Sequence, residues 1–118
     1  MKVKKPEVGT TMYFVEEHLY YIQGFAGPIM EYCVCQGEVT GFFQKRYISV
    51  DLKGKNAEGF PTPFRYALSD IGKKLFYTAK EAAQFAREKT EEYERIWGWL
   101  GAPEIPIRRT WEDLLRGE

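Results

Sequence analysis

The sequence predicts an α+β fold: a small, strongly bent antiparallel sheet packed by one long C-terminal helix, with a short helix at the end. Three observations carry this expectation. Residues 8–77 hold five or six runs of 4–8 strand-forming residues at short spacing, bounded by glycine, proline and polar turns. Residues 78–100 carry an apolar stripe at helical spacing behind a strong start signal. Residues 101–118 hold Pro103 and Pro106 and read as an extended tail closing in one or two helical turns. Short strands followed by a single helix suit an SH3-like partial barrel, and 118 residues suit one domain with no internal repeat.

Thr11 to Val15 is the first expected strand. Met12, Tyr13, Phe14 and Val15 are all apolar, so both of its faces should be covered. Glu16-Glu17-His18 reads as a polar turn, and Leu19 to Gln23 as a second strand closed by Gly24. After the loop Phe25-Ala26-Gly27-Pro28, the stretch Met30 to Val39 alternates. Met30, Tyr32 and Val34 fall on one face and Glu31, Cys33 and Cys35 on the other. Gly37 is a bulge or the turn into the next segment. Val39 to Phe43 and Tyr47 to Leu52 are further strands, separated by Gln44-Lys45-Arg46. Lys53 to Pro63 reads as an exposed loop, because its two X-Pro bonds bias their predecessors to extended conformations. Phe64 to Leu68 returns as a strand, and Leu75 to Tyr77 completes the sheet.

The helix begins with a capping box. The Thr78 hydroxyl is placed to accept the N–H three residues on, and Glu81 to reach back, a pattern worth about 1 kcal/mol. Ala82, Phe85, Ala86, Lys89, Tyr93, Ile96, Trp97 and Leu100 follow as one stripe, broken only at Lys89. Gly98, Gly101 and Pro103 set the end. Thr110 and Asp113 repeat the Thr-x-x-acid pattern, so Trp111 to Arg116 should be helical. The tail is expected to cover a sheet edge.

The run Ile71-Gly72-Lys73, Phe76, Thr78, Glu81-Ala82 resembles the I-G-K-x-x-F-x-T-x-x-E-A signature of short, functionally uncharacterised bacterial and phage proteins. In those proteins strands lead into the signature and a helix follows. The resemblance implies a phage or mobile-element accessory protein with an SH3-like sheet, and it brings no catalytic residues. The segment from Ile96 to Glu118 lies outside it.

Composition narrows the function classes. Lys and Arg number 17 and Asp and Glu 17. The halves differ little, with 10 basic and 8 acidic residues up to Tyr77 and 7 and 9 after it, far from an electrostatic footprint for nucleic acid. The basic N-terminus lacks the apolar segment of a signal peptide, and no run approaches the ~20 residues of a membrane span. Cys33 and Cys35 lie two apart on a strand, a spacing unsuited to a disulfide, and with one histidine they fall short of a zinc site. Reduced structural thiols suit the cytoplasm. No catalytic, cofactor or metal site is expected: His18 has no nucleophile at a telling spacing, and Gly72-Lys73-Lys74 lacks the rest of a phosphate loop.

Two surfaces remain. The first is aromatic: Tyr93, Trp97, Trp99 and Trp111 cluster near the end of the chain, and Trp97 and Trp99 cannot share a helix face. One of them needs the returning tail or another chain as partner, and tryptophan serves well as an interface anchor. The second is basic: Lys45, Arg46, Lys53, Lys55, Arg65, Lys73 and Lys74 could line a sheet face with Phe42, Phe43 and Tyr47, stacking bases while holding phosphates. The expected function is therefore a non-enzymatic binding module, monomer or homodimer, acting on an unknown protein partner. Nucleic-acid binding is the alternative.

Overall fold

In the computed structural model, the structure describes residues 6–21, 24, 28–43, 49–56, 59–100 and 107–116. Strands β1 (Thr11–Tyr21), β2 (Pro28–Phe43), β3 (Ser49–Lys55), β4 (Pro61–Ala67), β5 (Leu75–Phe76) and β6 (Ile107–Arg108) form one sheet in the order β4-β3-β2-β1-β5. All neighbours on that path are antiparallel, and β6 joins β2 in parallel at Met30 and Glu31. Helices α1 (Ala79–Leu100) and α2 (Glu112–Leu115) complete the chain. This is the expected α+β architecture, a strongly curled half-barrel with one long helix and a short one.

Several strands are longer than their sequence suggests. Glu16-Glu17-His18 is not a turn: β1 runs through it, pairing residue for residue from Thr11↔Glu38 to Tyr21↔Pro28. Alternation sends Glu16 to one face and Glu17 to the other, so polar residues in succession do not stop a strand that is wet at one end. Gly37 is likewise interior to β2, and the register shift falls between Val39 and Gly41. Lys53 to Lys55 continues β3, and the supposed loop supplies the start of β4. Pro61 and Pro63 are tolerated because β4 is an edge strand, where half of the backbone N–H groups would have no ladder partner.

Residues directly opposite in an antiparallel pair share a face, which sorts the side chains. The inner face carries Met12, Phe14, Cys35, Val39, Leu52 and Leu75 as a buried core, with Phe42, Phe64 and Tyr66 against it. The rings of Phe14 and Phe64 approach to 4.5 Å between centroids, and Phe14 and Tyr66 to 5.7 Å. Three strand spacings separate β1 from β4, which in a flat sheet would be about 14 Å. Only a sheet curled on itself brings these rings together. Two devices permit the curl: the bulge at Thr40, and the cross-strand pair Gly37 and Gly54. A Cβ on Gly54 would lie 2.5 Å from the Gln36 carbonyl oxygen, so only glycine fits there.

A 3-10 turn (Leu68–Asp70) leads from β4 towards β5, with the Asp70 carboxylate accepting the Ala67 N–H. The Asp70 carbonyl accepts the N–H groups of Lys73 and Lys74, and Gly72 takes φ +86°, open to glycine at little cost. This turn lays β5 beside β1.

Helix α1 crosses the outer face. Half of the expected capping box is present: the Thr78 hydroxyl accepts the Glu81 N–H at 3.1 Å, while the Glu81 carboxylate accepts from that hydroxyl at 2.8 Å. The buried stripe differs from the one read in the sequence. Ala82, Ala83, Ala86 and Thr90 are fully buried, whereas Ile96 is 46% exposed. Small side chains let the helix approach closely, and Phe85 packs beside them on Phe76 at 5.6 Å. Trp111 forms a buried cluster with Ala83 and Ala86, against which Val15, Tyr32 and Val34 of the sheet and Leu114 and Leu115 pack. The second capping box does not form. The Thr110 hydroxyl donates instead to Glu31, and Asp113 pairs with Arg116.

Candidate protein-binding surface

The described residues cover the outer face unevenly: Met30 is buried there at 2% exposure, while Leu19 opposite it is half exposed. Ala83 and Ala86 of α1, with Trp111, cover the part of that face that carries Val15, Tyr32 and Val34. Beyond that, β1 continues with Glu17, Leu19 and Tyr21 on the outer face, opposite Tyr32, Met30 and Pro28. Leu19 is 51% exposed and Tyr21 78%. The last turns of α1 overhang this end, where Tyr93 and Ile96 meet Tyr32 around a pit of about 120 Å³ that Lys89 and Glu92 also line. Burial, followed by the charges of Glu17, Tyr93 and Glu92, pushes the Tyr32 hydroxyl up to about 12. Ile96 thus borders an aromatic-walled pit, and Leu19 and Tyr21 are exposed further along β1.

Of the residues singled out in the sequence, Tyr93 belongs to this surface. Trp97 and Trp99 lie in the last turn of α1, and their side chains fall outside the described residues. Trp111 is part of the core rather than of an exposed surface. Its ring is 6% exposed and its indole N–H donates to the Thr90 hydroxyl at 3.1 Å. Leu19, Tyr21 and Ile96 were missed because Leu19 and Tyr21 look like ordinary strand residues and Ile96 like part of the buried stripe.

Among the described residues, Lys53, Lys55 and Arg65 do not share a face with Phe42, and the Phe43 side chain lies outside the described residues. Leu52 and Phe64 face inwards, so their neighbours Lys53 and Arg65 face outwards, as does Lys55. Phe42 packs on the inner core, on the other side of the sheet. Arg65 is held by Asp51 at 2.6 Å, and Lys53 stands opposite Glu38. Lys73 and Lys74 are exposed in the turn before β5. Lys45, Arg46 and Tyr47 lie outside the described residues.

No family model, curated protein or solved structure matches this chain.

The inner face holds a second polar group of residues. The Cys33 thiol donates to the Glu31 carboxylate at 3.4 Å, and the Cys35 thiol contacts Glu16 at 3.8 Å. Burial, and then the adjoining carboxylate, push the Cys35 thiol up to about 12 and drive Cys33 in the same direction. Protonated thiols are poor nucleophiles and poor metal ligands. Among the described residues no group of three His, Cys, Asp or Glu side chains is placed to hold a metal ion. Among the same residues, no helix is long and apolar enough to cross a membrane.

Proposed function

We propose that this chain is a small, non-enzymatic binding module acting by protein–protein contact at the exposed part of its outer face. The observation that supports the reading is the pit of Tyr32, Tyr93 and the exposed Ile96, with Leu19 and Tyr21 exposed on the same face of the sheet. Apolar side chains exposed on one face of a sheet, beside aromatic walls, suit an interface core better than scattered exposed residues would. Phe42 lies on the opposite face from Lys53, Lys55 and Arg65, so it cannot stack a base whose phosphates those three residues hold. The signature from Ile71 to Ala82 adds the context of a cytoplasmic accessory protein of a phage or mobile element.

A tagged pull-down from host lysate, with and without nuclease, tests this. The expected result is a stoichiometric protein that survives nuclease and is lost from the Leu19→Glu/Ile96→Glu variant. Enrichment that disappears on nuclease treatment would move the function to the basic residues.

A further inference from the structure

The exposed part of the outer face also selects the kind of partner. Its pit of about 120 Å³ is walled by Tyr32 from β2 and by Tyr93 and Ile96 from α1. A water molecule occupies about 30 Å³ of liquid, so the pit has the size of a single aliphatic side chain. A helix or a sheet would not enter it. The rim is acidic. Glu17 stands directly across the strand pair from Tyr32, and Glu92 lines the pit from the helix. Among the described residues the cation lining the pit is Lys89, whose Nζ lies 5.5 Å from the centroid of the Phe85 ring, one helical turn back. Two carboxylates, Glu17 and Glu92, thus stand close to the Tyr32 wall of the pit.

We infer that this pit receives one aliphatic anchor side chain of a partner protein, flanked by lysine or arginine. The inference rests on the protein-binding reading above and narrows it. A buried apolar anchor supplies affinity, while the surrounding charges set orientation and partner choice. The exposed Leu19 and Tyr21 extend the contact about 7 and 14 Å beyond Glu17 along β1, at the rise of a strand.

The test is a displayed random-peptide library panned on the immobilised full chain, with Ile96→Asp as the counter-target. The expected selection is a Leu, Ile or Met anchor with Lys or Arg beside it. A chosen synthetic peptide should bind Glu17→Lys/Glu92→Lys at least tenfold more weakly at low salt, with circular dichroism confirming that the variants are folded. Peptides with acidic flanks, or peptides that bind Ile96→Asp equally well, would overturn the inference and leave the protein-binding reading standing. No enrichment at all would also overturn it, and the pull-down then judges the broader reading independently.

Discussion

Thr90 sits on the buried side of α1 with its hydroxyl used twice, donating to the Ala86 carbonyl at 2.8 Å and accepting the Trp111 indole N–H. Replacing it with valine preserves the shape and strands a buried indole donor. Thr90→Val should therefore cost about 1–3 kcal/mol, read as a shift in the denaturant midpoint, and a loss below 0.5 kcal/mol would contradict this account. The paired variant Thr90→Val/Trp111→Phe should recover part of the loss. The place of Trp111 was half legible in the sequence: Thr90 continues the 3–4 spacing of Ala83 and Ala86, and a threonine in an apolar stripe asks for a partner. Nothing in the sequence distinguished Trp111 from Trp97 or Trp99 as that partner. The cysteines give a second prediction at this scale. With the Cys35 thiol near 12 rather than about 9, its thiolate fraction at pH 8 falls on the order of a thousandfold, and disulfide-exchange reagents should label it correspondingly slowly. The folded chain binds these thiol protons more tightly than the unfolded chain does. Their contribution to stability is thus full below about pH 9 and is lost as the pH rises towards 12. Fast labelling of native protein at pH 8 would refute it.

The two Thr-x-x-acid patterns had the same appearance and different fates. Thr78 opens a helix of 22 residues and makes its cap, whereas α2 has only four residues and Thr110 is claimed by Glu31, 79 residues away. Thr78→Ala should cost about 1 kcal/mol in a thermal or denaturant melt. Gly54→Ala should cost more, about 1–3 kcal/mol, because the new methyl meets backbone rather than a side chain that could move aside. If the two variants melt alike, the close approach of β2 and β3 has been overstated. Among strands, existence and inner alternation were readable from Met30 to Val39. Boundaries were not, because Glu16-Glu17-His18 and the two prolines carry turn chemistry that pairing along a long hairpin and at a sheet edge overrides.

For the molecule as a whole, fold class was legible because it follows from the count and order of periodic segments. The exposed part of the outer face was not legible. A helix of 22 residues spans about 33 Å. Which part of that length lies on sheet depends on the curl and on where the tail returns, and both are set by contacts distant in sequence. The tail does more than cover an edge: β6 pairs with β2, and Arg109 reaches Glu94 of α1.

The meeting of Phe14 and Phe64 has a consequence for how the chain finds its shape. The β1/β2 and β3/β4 hairpins are local, but their rings join only when the two halves of the half-barrel swing together. Closing so long a loop is the slow, entropically costly kind of event that dominates folding rates in strand-rich domains. Phe64→Leu should therefore lower the refolding rate in a stopped-flow chevron. Trp111→Phe, acting on a tail that docks after closure, should chiefly raise the unfolding rate. If so, the aromatic contact across the barrel is the gate through which every molecule of this protein passes on its way to the native state.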